Sequence, residues 1–185
     1  MRKIAVIFPG VGYTKDKPLL YYSGKAAVKC GYELKAVDFK GLEWSKEKLK
    51  SRNFLLGAVD KCLLMTEEAL GDFDDISGDE VVFISKSIGT VVANAFAKKM
   101  GINPTQICFS PLELIEDFVR EGNGELFYGD NDPFADYVSI ERIAKEKKLE
   151  MHRISGGNHS LETGDILTDI DNMKDIMSCV FEIIS

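Results

Sequence analysis

In VVFISKSIGTVVANAFAKKM, residues 81–100, four apolar residues run into a polar turn with one glycine, and the turn runs into a segment of helical spacing. A continuously apolar run of that length reads as a strand covered on both faces. The chain thus leaves a buried strand and enters a helix through Ser-Lys-Ser-Ile-Gly. A serine at such a bend can be a helix cap, since serine leads the N-cap preferences, or it can be a nucleophile that the bend exposes. The rest of the chain has to decide between them.

Working outward, β-branched runs at 4–8, 33–39, 106–110 and 125–128 also read as strands, with a weaker one at 150–154. Helical spacing falls at 19–30, 46–70, 90–100, 134–148 and 166–184. Strand and helix alternate, which predicts a doubly wound α/β fold: a mainly parallel six-stranded sheet with helices on both faces. The runs at 4–8 and 81–85 are apolar throughout and belong near its centre. No repeat or low-complexity linker interrupts the pattern, and the acidic stretch 71–80 reads as a loop. At 185 residues, one α/β domain over 1–185 is expected, burying about 70% of the surface its unfolded chain exposes.

A formal charge of -7 argues against nucleic acid as a partner, because phosphate binding needs clustered Lys and Arg. The run AKEKKLE, residues 144–150, alternates in sign and reads as a solvated helix face. Near the N-terminus, only residues 4–8 are apolar before Pro9 and Gly10, too few for a signal segment or a membrane span. Cys30, Cys62, Cys108 and Cys179 are widely spaced and show no metal pattern, so reduced cysteines and a cytoplasmic location are expected. His152 and His159 have no spacing that suggests a shared metal.

In an open parallel sheet, ligand and catalytic groups gather at the carboxyl ends of the strands. The strand ends here carry PGVGYTKDKP, then KSIG, PLELIE, GDNDPFAD and GGNHSLETGD. A serine, an acid and a histidine appear in that order. With the serine on a strand-to-helix bend, the chain resembles the α/β-hydrolase superfamily. Its Gly-x-Ser-x-Gly bend reads here as Ser85-Lys86-Ser87-Ile88-Gly89, with Ser85 departing from the pattern and remaining small. Gly129 and Asp132 match the family's Gly-x-x-Asp, with Asp130 as the fallback acid and Asp136 close by. His159, followed by Ser160 and Leu161, matches its histidine loop.

The resemblance spans nearly the whole chain, and its specificity lies in the ordered set. Taken alone, Ser87 would be a cap, Asp132 a turn residue and His159 a loop histidine. Together they imply acyl transfer by a serine hydrolase without cofactor, with Ser87 as nucleophile, His159 as base and Asp132 as its orienting acid. Backbone donors for the oxyanion are expected at Ile88 and Val11, with Gly10 and Gly12 letting the first turn approach substrate. Tyr13, Trp44, Pro111, Leu112 and Phe134 follow strand ends and are candidates for the substrate pocket. Lys86, beside the nucleophile, is expected to point away to pack or reach solvent, with no catalytic role.

Only residues 111–124 separate two strands where many relatives insert a helical cap, and the family's N-terminal hairpin strands are missing from the pattern. The resemblance therefore implies a minimal, capless hydrolase domain acting on a small or acyl-type ester or thioester. Two other classes compete. A non-catalytic binding protein could use the same scaffold, because a fold does not guarantee an activity. A phosphate-binding domain is opposed by its motifs: no glycine precedes Lys86 as a phosphate loop needs, and Lys15 stands where Gly-x-Gly-x-x-Gly needs its third glycine.

Overall fold

The computed structural model describes residues 2–42, 48, 51–71 and 80–185. Six strands form one parallel sheet: β1 (Lys3–Phe8), β2 (Glu33–Ala36), β3 (Glu80–Lys86), β4 (Thr105–Phe109), β5 (Glu125–Gly129) and β6 (Glu150–Ile154). Their order is β2-β1-β3-β4-β5-β6. The crossovers are α1 (Pro18–Lys29), α2 (Arg52–Leu70), α3 (Ile88–Met100) and α4 (Tyr137–Lys147), with α5 (Ile166–Ile184) after the last strand. A short 3₁₀ turn at Glu113–Asp117 stands between β4 and β5, where the sequence leaves no room for a cap.

Side-chain alternation on the strands builds two cores. Ile4, Val6, Phe8 and Phe83 face α2, α3 and α4, whereas Ala5, Ile7, Val82 and Ile84 face α1 and α5. Both faces of β1 and β3 are therefore dry, which is why these strands are continuously apolar. The edge strands β2 and β6 are mostly exposed, and β6 corresponds to the weaker run at 150–154. On the first face, the ring of Phe8 lies 4.8 Å from that of Phe83 and 6.3 Å from that of Phe96. Burial of such side chains is worth about 1.5–3 kcal/mol each, so this cluster anchors α3 just after the Ser87 turn.

Helix limits follow local chemistry. Pro18 supplies the fixed φ of a first helical residue, and Ser51, Asp136 and Asp165 cap α2, α4 and α5 through their side chains. Capping by Asp136 starts α4 at Tyr137, three residues later than the spacing from 134 suggests. β2 ends at Ala36 and not at 39, although Val37 and Phe39 remain buried and the Val37 amide still donates to the Ile7 carbonyl at 3.0 Å. The helix expected over 46–70 is seen from Arg52. Residues 43–47, 49–50 and 72–79, which hold Trp44 and most of the acidic stretch, lie outside the described residues. Among the described residues, no helix is long and apolar enough to cross a membrane, and all four cysteines are free.

Candidate active site

β3 ends at Lys86 and α3 begins at Ile88, so Ser87 alone makes the bend, at φ 56° and ψ -124°. That conformation is strained for any residue with a Cβ. The Ser87 hydroxyl makes no cap bond to α3 and lies 2.8 Å from His159 Nε2. The bend is tight because α3 passes against the end of β1: a Cβ on Gly89 would sit 2.3 Å from the Phe8 oxygen and 2.5 Å from the Pro9 oxygen. Ser85, at the position where the resemblance calls for glycine, is buried, and its hydroxyl donates to the Ile107 carbonyl at 3.0 Å.

The aspartates after β5 have separate fates. Asp130 accepts from Arg153 Nη2 at 2.7 Å, from Arg153 Nε at 3.0 Å and from the Gly156 amide at 2.6 Å, so the fallback acid is committed elsewhere. Asp136 caps α4. Asp132, with a side chain 3% exposed, takes the Phe134 amide on Oδ1 at 2.8 Å and faces His159 Nδ1 with Oδ2 at 2.6 Å. A carboxylate can only accept, so Nδ1 carries the proton and Nε2 is left to accept from Ser87.

The histidine loop is held from several sides. Asn158 Oδ1 accepts from the amides of Ser160 at 2.7 Å and Glu162 at 3.2 Å, closing the loop on itself. The Ser110 hydroxyl donates to the His159 carbonyl at 2.9 Å. A Cβ on Gly129 would meet the Gly157 oxygen at 2.0 Å, so the end of β5 touches this loop backbone to backbone. Ser110 and Asn158 were not among the sequence candidates. Asn158 carries a readable signal, an Asx turn in Gly-Gly-Asn, whereas nothing in the sequence marks Ser110 at φ 44°.

Burial pushes the His159 imidazole below its ordinary value; the hydrogen bond to Asp132 pulls it back up, and the Lys86 ammonium adds to the downward push. Lys86 does not reach solvent. It is fully buried, its Nζ has no hydrogen-bond partner among the described residues, and burial lowers its pKa to about 7.

The other candidates divide. The two hydrogen bonds of the 10–13 turn use the amides of Gly10 and Tyr13, which leaves those of Val11 and Gly12 out of that bridge. Ile88 is the first residue of α3, and the first amides of a helix have no intrahelical acceptor. Gly10 packs against Ser87, where an added Cβ would lie 3.1 Å from Ser87 Cβ. Gly12 is exposed with φ 72°. The Tyr13 hydroxyl accepts from the Leu19 amide at 3.2 Å, tying the turn to the start of α1. Phe134 meets the His159 ring edge-on at 4.9 Å and lines a cavity of about 520 Å³ with Leu55, Leu114 and Pro133. Pro111 and Leu112 are buried, Leu112 within the core. His152 sits on β6 itself, 2.7 Å from Glu125 and stacked on Phe127.

A parallel β2-β1-β3-β4-β5-β6 sheet, with a strained serine after β3 and only a short 3₁₀ turn between β4 and β5, defines the α/β-hydrolase fold in its lid-less form. Known structures agree. The chain is similar to a serine hydrolase without lid from Xanthomonas campestris, at 13% identity and TM-score 0.69, over 97% of this chain and 81% of that one. It is also similar to Est1E from Butyrivibrio proteoclasticus with ferulic acid bound, at 14% identity and TM-score 0.70, over 98% and 89% of the two chains. An alpha-beta serine hydrolase homologue from Coxiella burnetii matches at 14% identity and TM-score 0.67, over 100% of this chain and 85% of that one. No family model and no curated protein matches the sequence.

Proposed function

We propose that this protein is a serine hydrolase that cleaves a small or acyl-type ester or thioester through an acyl-enzyme intermediate, with Ser87, His159 and Asp132 as its triad. One observation carries the reading: a strained Ser87 whose hydroxyl is 2.8 Å from His159 Nε2 while His159 Nδ1 is 2.6 Å from a buried Asp132. A serine hydroxyl is a weak nucleophile near neutral pH, so His159 takes its proton as Oγ attacks the carbonyl, then returns that proton to the leaving alcohol or thiol. Water, deprotonated by the same imidazole, releases the acid. Asp132 keeps Nδ1 protonated and stabilises the imidazolium of each half-reaction.

The oxyanion needs donors fixed before the reaction, and the amides of Ile88 and Val11 are assigned to that role. Phe134 and the cavity beside it are assigned to the acyl or alcohol group, and a lid-less surface suits either a small soluble ester or an acyl group carried on a larger molecule. Est1E, with ferulic acid bound, shares the fold and supports a carboxylic ester as the first class to screen.

The test is covalent labelling with a fluorophosphonate probe, in the native chain and in Ser87→Ala and His159→Ala, with peptide mapping of the adduct. An adduct on Ser87 that both substitutions abolish supports the reading. A folded native chain that stays unlabelled at every pH overturns it and leaves a binding protein on the same scaffold.

A further inference from the structure

Lys86 is the feature the triad does not use. It is the last residue of β3, adjoins the nucleophile, and is fully buried although its amine has no hydrogen-bond partner among the described residues. Natural interiors satisfy or pair nearly every buried polar group, so an orphaned lysine amine at this place calls for a role.

The groups around it define that role. From the turn after β1, the Tyr13 ring receives Nζ at 5.2 Å from its centroid, a cation–π distance. A Cβ on Gly10 would lie 3.5 Å from Lys86 Cγ, so the lysine stem runs along the same turn. From the loop after β5, the Asp132 carboxylate acts on the amine; from the loop after β6, the amine's charge acts on His159. Tyr13 is itself held neutral by burial, which raises its phenol to about 12, and Glu162 adds to that rise.

We propose that Lys86 is a positioning residue for the reaction assigned above: its amine braces the 10–13 turn against the nucleophile turn and places a titratable positive charge behind Ser87, His159 and Asp132. The proposal rests on the serine-hydrolase reading. A methionine would fill the same space without a charge, so packing alone does not require lysine. The sign of the effect is fixed by like charges: a charged Lys86 opposes protonation of His159 and keeps Nε2 available as a base at lower pH.

The experiment is the pH dependence of the fluorophosphonate labelling rate in the native chain and in Lys86→Met. Removing the charge is expected to move the acid limb up by about 0.5–1 pH unit, which slows labelling below the limb about 3–10-fold. Superimposable profiles from two folded proteins overturn the proposal and leave the hydrolase reading intact, whereas a native chain that never labels removes both. A second measurement needs no variant and no activity: carbon-13 NMR titration of the lysine ε-carbons in the native chain. One lysine should titrate near pH 7, where burial places Lys86. A lysine that is still neutral at the pH of the acid limb would leave no charge beside His159, and the proposal would fail even where Lys86→Met does not fold.

Discussion

Ser87 offers a measurement of the strain in the nucleophile turn that does not depend on any substrate. Ser87→Ala and Ser87→Gly both remove the hydroxyl and its bond to His159, so that loss cancels between them. They differ by one methyl group at φ 56° and ψ -124°. A residue held in so sparsely populated a region costs about 1–3 kcal/mol, and glycine escapes most of it. Against this, glycine gives the unfolded chain more freedom, which costs about 0.5–1 kcal/mol. The difference leaves Ser87→Gly more stable than Ser87→Ala by about 1 kcal/mol. For a chain of this length that is about 2–4 °C in Tm. Differential scanning calorimetry of the two purified variants reads it directly. A Ser87→Gly that melts at or below Ser87→Ala would mean that the bend is relaxed, and the case for a strained nucleophile turn would lose its physical basis.

Gly89→Ala should destabilise the chain by about 1–3 kcal/mol and abolish labelling, because its Cβ would meet the backbone oxygens of Phe8 and Pro9 below 3.0 Å, whereas Gly57→Ala, with open space around it, should stabilise by about 0.5–1 kcal/mol in thermal melts. Asp132→Asn offers His159 an amide in place of a carboxylate and should slow labelling about 10³–10⁴-fold, while Asp130→Asn, whose partners are Arg153 and Gly156, should change the labelling rate less than about threefold. If His159 is the base it works only when unprotonated, and burial holds its pKa below the ordinary histidine value, so the acid limb of labelling should lie below that of an exposed histidine; a limb above the ordinary value would contradict the buried geometry.

The fold was legible because both cores speak through period and composition. Residues 4–8 and 81–85 are apolar throughout since helices cover both faces of β1 and β3, and alternation of strand with helix leaves few topologies. Ser87, Asp132 and His159 were legible as an ordered set at strand ends. Asp132 could not be separated from Asp130 by sequence alone, because the choice depends on Arg153, which lies on a different strand and claims Asp130. Lys86 was expected to pack or to reach solvent, and it packs: it is fully buried, with its amine 5.2 Å from the centroid of the Tyr13 ring in the 10–13 turn.

How so small a scaffold can hold three groups in register without a lid follows from the sheet itself. The parallel ladder does not stop at the strand ends. The Ser87 amide donates to the Phe109 carbonyl at 3.0 Å, the Ser110 amide to Phe127 at 2.7 Å and the Asp130 amide to Ile154 at 3.3 Å. The loops after β3, β4 and β5 therefore leave from residues still bonded to the neighbouring strand. The loops are then joined to one another: Gly157 accepts from the Asn131 amide at 3.0 Å, and the His159 carbonyl accepts from Ser110 at 2.9 Å. Side chains set on such continuations inherit the stiffness of the central sheet, whose conformational cost the two cores have already met. Loss of a single loop contact then shifts the imidazole by little, whereas a change that parts the ends of β3, β4 and β5 moves the nucleophile and the base together. This predicts why the most demanding residues of the site are glycines at backbone-to-backbone contacts, Gly89 against β1 and Gly129 against the histidine loop, as much as the groups that carry the proton.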